Sequence, residues 1–402
     1  MSAYKTRLWT YSLPVALLLL APFNILASLG MDIYLPVVPA MPGILGTSSE
    51  VVQLTLTLYM IMLGVGQVVF GPLSDRLGRR PVLILGAIIF VITSFALAGT
   101  SSAGLFVLLR LVQAIGASAM LVALFATIRD VYAERPESAI IYSLMNSMLA
   151  FVPAIGPILG ALIMATWGWR ATFLALAIPA LLMLVLVLPR WHETRSPEDA
   201  PRRAGFAPVL RSRAFWTYTV AFGSAMGTFF VFFSTAPRVL IEGAGMSELG
   251  FSLAFATVAL VMIVTTRFAK RFVGRWGIAG SVMRGMAALV LGACALAFGQ
   301  IALVPSFWSF VLPMWLIAIG IVFTTSVTAN GALEEFGEIA GTAVALHFCF
   351  QSLIVGVIGT AFVVVFDGST AWPLIAYALT MALITVSALA RLRRRTANLA
   401  NA

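Results

Sequence analysis

Long apolar runs recur along the whole chain, and short polar stretches separate them. Each run holds roughly 20 residues, enough for an α-helix to cross the ~30 Å hydrocarbon layer of a bilayer. Backbone groups in lipid must be satisfied internally, and the runs lack the alternation of barrel strands, so helices are expected. We predict twelve spans: Tyr11–Leu35, Val51–Leu73, Pro81–Leu97, Gly104–Ile128, Ser138–Ala165, Ala171–Leu188, Ala214–Ala236, Ser247–Thr266, Ile278–Leu303, Ser306–Ala329, Ile339–Phe366 and Ala371–Ala390.

Composition agrees with this pattern. The chain of 402 residues is 61% hydrophobic and 10% charged, whereas soluble domains are about 25% charged. The fold class predicted is therefore an all-α integral membrane protein. We recognise no phosphate-binding loop, no nucleophile beside a base and no metal-ligand cluster, so we expect neither an enzyme nor a cofactor. Cys294 and Cys349 both fall in spans, where we interpret them as small packing residues.

The net charge of +10 describes topology rather than a nucleic-acid partner. If successive spans alternate in direction, all but three of the 25 lysines and arginines lie on one side of the membrane. The exceptions are Arg110 inside a span and Arg170 and Arg238 on the opposite side, with Arg284, near the start of span 9, counted on the cytoplasmic side. The positive-inside rule then places both termini in the cytoplasm. No cleavable signal peptide is expected, because the first apolar run leads directly into further spans.

The chain divides into two halves in this interpretation. Residues 1–188 and 214–402 each hold six spans, and the polar segment 189–213 is a cytoplasmic linker between them. A degenerate repeat supports the division, because Gly274 and Arg275 follow Arg267 at the spacing with which Gly78 and Arg79 follow Gly71.

Four motifs resemble the major facilitator superfamily of secondary transporters. Gly71 to Pro81 has the pattern Gly-x-x-x-Asp-Arg-x-Gly-Arg-Arg of the loop between its helices 2 and 3. Span 4 has Arg-x-x-Gln-x-x-Gly, beginning at Arg110, and span 1 ends in Gly-Met-Asp-Ile-Tyr-Leu-Pro, from Gly30, as in twelve-helix drug:proton antiporters. Span 5 is similar to the antiporter motif of proton-coupled exporters, at positions Pro153, Gly156, Pro157 and Gly160.

The resemblance is closer to one subfamily, the chloramphenicol/florfenicol exporters of Gram-negative bacteria. The segments that carry it are 27–32, 229–234 and 328–333. It implies twelve helices in two six-helix pseudo-symmetric halves, a central site near the bilayer midplane, and a monomer that functions alone in the bacterial inner membrane.

Asp32 is the candidate for proton coupling. Apart from Glu248, the second residue of span 8 and assigned to the outer loop, it is the one acidic residue at or within an apolar span, and removing a carboxylate from water favours its protonated form. We expect Asp32 to take up a proton outside and release it inside, in competition with the drug. The alternative is that Asp32 only ends helix 1 at the outer interface.

Arg110 is expected at a similar depth in span 4, where an unpaired guanidinium is costly. It can pair with Asp32 directly or through water. The resemblance instead implies that it hydrogen-bonds polar groups of helix 1 and influences proton release. A third interpretation is a side chain that snorkels to the outer interface.

The loop after span 2 is predicted to be a cytoplasmic gate. The resemblance implies that Asp75 approaches the positive N-terminus of helix 11, and that glycines let the backbones come close. The alternative is that the arginines only anchor the loop at the membrane surface. The gate candidates are Gly71, Asp75, Arg76, Gly78, Arg79 and Arg80.

The drug site is expected to combine a carboxylate with aromatic rings. Phe229, Phe230 and Phe233 share one face of span 7, although phenylalanine facing lipid gives the same pattern. Related exporters often have a second carboxylate eight residues before the first; this chain has Asn24 there, which favours neutral, polar drugs over cations. His347 is either a lining residue or packing. Besides Asp32, the candidates for substrate binding are Asn24, Tyr59, Met62, Asn146, Leu149, Ala150, Phe229, Phe230, Phe233 and Gln351.

Together these features predict proton-coupled efflux of amphenicol antibiotics, with a neutral aromatic drug, protons and membrane lipid as partners. A broader multidrug, sugar or metabolite exporter of the same fold is the alternative. A nutrient importer or a membrane receptor is a further one, which Asp32 and the duplicated loop disfavour.

Overall fold

The computed structural model describes residues 9, 11–132, 135, 138–195, 206–336 and 339–400, and these contain no β-strand. Among them, eleven helices are long and apolar enough to cross a membrane, and the apolar stretch Phe151–Trp167 is shorter. The predicted all-α membrane class is confirmed. The chain divides into two compact units, unit 1 at Met1–Arg203 and unit 2 at Ala204–Ala402.

Unit 1 is built from five long helices, a shorter one before the linker and a short helical segment after the first helix. A 3₁₀ helix, Leu35–Ala40, follows the first helix. The α-helices are α1 (Leu13–Asp32), α2 (Met41–Leu45), α3 (Ser49–Leu77), α4 (Arg79–Gly99), α5 (Ala103–Tyr132), α6 (Ser138–Trp167) and α7 (Arg170–Val187).

Unit 2 repeats the scheme with more interruptions. Three π-helical segments, Arg238–Gly243, Phe307–Val311 and Ile354–Ile358, lie next to its long helices. The α-helices are α8 (Ala207–Arg211), α9 (Arg213–Pro237), α10 (Glu248–Ala302), α11 (Leu312–Leu333), α12 (Ala340–Leu353), α13 (Gly359–Val365) and α14 (Trp372–Ala400).

Helix α1 ends at Asp32 for a local reason. Pro36 has no N–H to offer the carbonyl of Asp32, and its ring clashes with the carbonyl four residues earlier. The last backbone bond of the helix is therefore Ile33 N–H to Leu29 O, at 3.0 Å. The apolar residues beyond Asp32 continue as the 3₁₀ helix and α2, and the apolar helical run extends from Pro14 to Leu45.

The polar segment after span 2 is helical rather than the loop that was predicted. Asp75 and Arg76 belong to the last turns of α3, and Gly78 alone separates α3 from α4. Gly78 has φ 107°, a conformation that side chains with a Cβ rarely adopt, so one glycine reverses the chain.

The kink of unit 2 that corresponds to the Gly78 turn lies three residues later than the repeat predicts. Gly274 has helical backbone angles, whereas Gly277, with φ 66°, interrupts α10 and separates its two helical parts. Part of the predicted linker is also helical, because α8 falls within it and buries Val209. The eleventh span is divided into α12, a π-helical segment and α13.

Both units contain one close helix crossing made by a pair of glycines. In unit 1, a Cβ added to Gly116 of α5 would lie 2.7 Å from the carbonyl oxygen of Gly86 in α4. In unit 2, a Cβ on Gly285 of α10 would lie 2.7 Å from the carbonyl oxygen of Gly320 in α11. Small residues let helix backbones approach in lipid, so the same contact holds corresponding helices in both units.

Candidate functional site

Asp32 is buried at the end of α1, with 7% of its surface exposed. Helix α6 packs directly on it, because a Cβ on Gly156 would lie 2.7 Å from the Asp32 Cβ. One turn further along α6, Gly160 faces the backbone of Ile33, whose carbonyl carbon would lie 3.0 Å from an added Cβ. The glycines of the antiporter motif therefore bring α6 against the backbone that carries Asp32.

The prolines of the same motif, Pro153 and Pro157, lie inside α6. Each removes a backbone N–H from the helix.

Arg110 is fully buried, and among the described residues one guanidinium nitrogen makes both of its hydrogen bonds. Nη1 donates to the Gly30 carbonyl of α1 at 2.8 Å and to Gln113 Oε1 at 2.6 Å. Gln113 in turn donates to Ser94 Oγ of α4 at 2.8 Å. Arg110 thus connects α1 to α5, and Gln113 extends the connection to α4.

Aromatic rings surround the rest of the guanidinium. Its carbon lies 5.0 Å from the Tyr34 ring centroid and 4.7 Å from that of Tyr59, within the range of cation–π attraction. Nε and Nη2 of Arg110 and the Tyr34 hydroxyl are buried without a hydrogen-bond partner among the described residues.

The arrangement contradicts two of the expectations for Arg110, the direct ion pair with Asp32 and the snorkelling side chain. Within the described part of the chain, Asp32 and Arg110 do not form an ion pair, because the Arg110 bonds go to the Gly30 carbonyl and to Gln113. A snorkelling side chain is also wrong, since Arg110 is 0% exposed. The contact observed is with a polar group of helix 1, two residues before Asp32.

Two candidates for drug binding also hold α1 in place. The Tyr59 hydroxyl donates to the Ala27 carbonyl at 2.7 Å, and Asn24 Nδ2 donates to the Met145 carbonyl of α6 at 3.0 Å. Both side chains are fully buried, and Asn24 Oδ1 has no partner among the described atoms. Asn24 thus keeps one free acceptor, whereas the bond to Ala27 uses the Tyr59 hydroxyl.

The remaining unit 1 candidates give less information. Met62 is half-buried on α3. The side chains of Asn146, Leu149 and Ala150 lie outside the described residues.

The phenylalanines of α9 pack within unit 2. Phe229 and Phe233 have ring centroids 6.0 and 5.9 Å from Phe255 of α10, and Phe232 stacks on the same ring at 5.3 Å. Phe230 is buried and fills the space beside Gly359. Phe229 keeps an exposed portion, whereas Phe230 and Phe233 are buried.

The polar candidates of unit 2 lie on α12. His347 Nδ1 is 2.9 Å from the Thr219 hydroxyl, and Phe222 packs edge-on against its ring. His347 is 1% exposed, which favours its interpretation as packing. Gln351 lies one turn later and is half-buried.

An ion-pair cluster lies beside the turn at Gly78. Arg79 donates from Nη1 to Asp75 Oδ1 at 2.6 Å and from Nε to Asp130 Oδ2 of α5 at 2.8 Å. Arg79 and Asp130 are nearly buried, with side-chain exposures of 4% and 6%, while Asp75 is 41% exposed. The cluster fixes the ends of α3, α4 and α5 together.

The other gate candidates differ in their surroundings. Gly71 lies in open space within unit 1, since a Cβ there would meet no atom within 4 Å. Arg76 and Arg80 are exposed, and Arg80 donates to the Leu188 carbonyl at 2.9 Å. The approach of Asp75 to helix 11 remains a prediction, and residues 337–338 before that helix lie outside the described residues.

Sequence reasoning missed two acidic residues of this cluster, Asp130 and Glu193. Both lie outside the predicted spans, yet Asp130 lies within α5 and pairs with Arg79. Glu193 accepts bonds from the start of α4. A sequence signal was available for Asp130, because it lies next to Arg129 just after span 4, on the same predicted side of the membrane as Arg79. No sequence signal marked Glu193.

Comparison with known proteins identifies one family of membrane transporters. The family model of the Major Facilitator Superfamily matches residues 20–360. The chain is 47% identical to a "Chloramphenicol resistance protein" of Pseudomonas aeruginosa, over 95% of this chain and 91% of that protein. It is 26% identical to "Multidrug resistance protein D" of Escherichia coli, over 86% and 87% of the two chains. A "Multidrug resistance protein MdtL" of Shewanella oneidensis is 25% identical, over 82% and 85%.

Proposed function

We propose that this chain, which belongs to the Major Facilitator Superfamily, exports chloramphenicol-type antibiotics from bacteria in exchange for protons. The observation that carries the proposal is the 47% identity to the chloramphenicol resistance protein, which extends over nearly all of both chains. The more distant multidrug relatives favour drug efflux as well. The protein is a multi-pass membrane transporter rather than an enzyme.

Asp32 is the proposed proton carrier. Its carboxyl is buried between α1 and α6, and Arg110 makes its hydrogen bonds elsewhere. An unpaired carboxylate in such surroundings is unfavourable, so the neutral acid is favoured until water or a polar drug group reaches it. The proton and the drug then compete for the Asp32 carboxyl group, so the transporter does not carry both across the membrane in the same step.

Arg110 is the proposed partner that fixes the position of Asp32 without neutralising it. By binding the Gly30 carbonyl, it holds the last turn of α1 at a defined distance from α5. A direct ion pair would instead stabilise the charged carboxylate and oppose protonation.

The proposed orientation follows the positive-inside rule, with both termini and the cluster around Arg79 in the cytoplasm of the bacterial inner membrane. Exchange of one neutral drug for one proton carries one net charge inward. Membrane potential then contributes about 2.3 kcal/mol per 100 mV, in addition to the pH gradient.

The function is tested by accumulation of chloramphenicol and florfenicol in cells that carry the gene. We expect both drugs to accumulate less than in vector-only cells, and a protonophore to restore accumulation, because it removes the proton gradient. Resistance to the same two drugs is measured in parallel. Low accumulation that a protonophore leaves unchanged would contradict proton coupling, and unchanged accumulation in all strains would contradict export of these drugs.

Asn24 is proposed to select neutral drugs. Its amide donates to Met145 O and leaves Oδ1 free to accept a bond from a drug hydroxyl or amide. An amide has no charge with which to attract a cation. We therefore expect Asn24→Asp to increase ethidium efflux several-fold, because it supplies a charge that attracts the cation, and to weaken chloramphenicol export.

The measurement is ethidium efflux from preloaded cells, with Asn330→Asp as the control because Asn330 is an exposed amide of unit 2. Ethidium efflux that rises equally in both variants would show that charge anywhere on the protein is sufficient, and would contradict the selection role of Asn24.

A further inference from the structure

Glu193 binds the start of α4, although it lies beyond the last helix of unit 1. Its Oε1 accepts the backbone N–H of Arg79 at 2.9 Å, and its Oε2 accepts that of Arg80 at 3.1 Å. Oε1 also accepts the N–H groups of Thr194 and Arg195, at 3.0 and 2.9 Å. The carboxylate therefore satisfies two of the N–H groups that the first turn of a helix leaves free, and its charge complements the helix dipole.

The turn at Gly78 is shaped to admit this carboxylate. A Cβ on Gly78 would lie 2.8 Å from the carboxyl carbon of Glu193, closer than real Cβ contacts. Helix α4 has no cap from a side chain of its own turn, so Glu193 supplies the cap from a distant part of the sequence. The glycine is thus required twice, for its positive φ and for the space beside it.

Two further bonds tie the same segment to the turn. Arg195 Nη1 donates to the Arg76 carbonyl at 2.6 Å, near the end of α3. Arg80 Nη2 donates to the Leu188 carbonyl at 2.9 Å, just after α7. The segment 188–195 therefore contacts the chain on both sides of Gly78.

Aromatic packing anchors the base of this segment. Trp191 is 1% exposed and packs edge-on against Trp9, with centroids 5.2 Å apart, and against Phe23 of α1. The Tyr11 hydroxyl donates to the Arg190 carbonyl at 2.6 Å. Because this base is held by the body of unit 1, Glu193 is presented to α4 from a fixed position.

From these contacts we propose that Glu193 is a positioning residue of the gate, a latch by which the start of the linker holds the Gly78 turn. Through that turn it sets where Asp75 and Arg79 stand. The inference rests on the proposed function, in which the two units move relative to each other during each transport cycle. In that cycle the cluster at Arg79 helps to close the cytoplasmic side of the transport path. The linker then acts on transport through the gate, beyond joining the two units.

The test is a double-mutant cycle on chloramphenicol export in inside-out vesicles. Glu193→Ala is expected to lower the maximal rate about tenfold, in the range of a lost helix cap, with the KM for the drug changed less than about twofold. Glu193→Gln keeps an acceptor oxygen and should lose less. In the Glu193→Ala background, Gly78→Ala should cost less than it does alone, since the carboxylate no longer opposes the new methyl group.

A drug-free measurement separates the latch from the function. The measurement is the rate at which a thiol reagent alkylates Leu77→Cys, an exposed position beside the turn. The native cysteines are removed by Cys294→Ser and Cys349→Ser, so that only the new cysteine reacts. Glu193→Ala is expected to raise the alkylation rate several-fold, and Glu242→Gln, an exposed carboxylate of unit 2, to leave it unchanged.

The outcomes are distinct. Faster alkylation in a protein that exports no amphenicol supports the latch and contradicts the proposed function. Three results would each overturn the latch. The first is export at the native rate in Glu193→Ala, and the second is a loss of export in the Glu193→Ala, Gly78→Ala double variant equal to the product of the two single losses. The third is an alkylation rate that Glu193→Ala leaves unchanged.

Discussion

Asp32→Asn is expected to abolish drug-driven proton release and to reduce chloramphenicol resistance to the level of vector-only cells. An amide has nearly the size of the carboxyl and can hydrogen-bond a drug, but it cannot take up and release a proton. Drug affinity should therefore change much less than coupling. The measurement is the pH change in a weakly buffered solution of purified protein when chloramphenicol is added.

Asp367→Asn is the matched control, because it removes a carboxyl outside the spanning helices. The N–H and hydroxyl of Ser369 bond the Asp367 oxygens at 3.0 and 2.8 Å and hold the pKa of this carboxyl below its ordinary value. Asp367 is therefore ionised at neutral pH and has no proton to release. Drug-driven proton release that persists in Asp32→Asn, or that is lost in Asp367→Asn, would refute the assignment of Asp32.

Gly160→Ala is expected to have the second largest effect, a loss of export of about tenfold or more while the protein still reaches the membrane. The new methyl group would overlap the carbonyl of Ile33, and neither backbone can move without separating α6 from α1. Overpacking of this kind costs about 1–3 kcal/mol in well-packed cores. Separation would also admit water to Asp32, so proton release should fall together with export.

Gly104→Ala is the control, since Gly104 is an exposed helical glycine and a Cβ there meets nothing within 4 Å. Export rate and the thermal stability of the purified protein are measured for both variants. Normal export in Gly160→Ala would contradict the role of α6 in shielding Asp32. Gly104→Ala should leave stability unchanged or raise it slightly, because alanine has the higher helix propensity, so an equal loss of stability in both variants would contradict the packing explanation.

The spans could be predicted because their signal is local. Lipid imposes a length and a composition on each helix, and both are written directly in the apolar runs. Helix ends were harder: α3 and α5 extend to Leu77 and Tyr132, past the apolar runs, because polar residues at the membrane surface continue a helix at little cost. The break at Gly277 rather than Gly274 is of the same kind, as either glycine permits a positive φ.

The candidate site was predicted only in part. Motif spacing singled out Asp32, Arg110 and the glycines of α6, but left open what Arg110 binds. The partner is a backbone carbonyl, Gly30 O, and any residue supplies a carbonyl, so no residue type could have marked it. The same applies to Tyr59, whose hydroxyl binds Ala27 O.

The sequence by itself determined the membrane class and the approximate positions of most spans, because both depend on the chemistry of neighbouring residues. Tertiary structure decided which distant groups meet. It placed Glu193 on the start of α4, more than a hundred positions earlier in the chain, and Asp130 on Arg79. Such contacts depend on how helices cross, and the crossings depend on glycines whose partners lie on other helices.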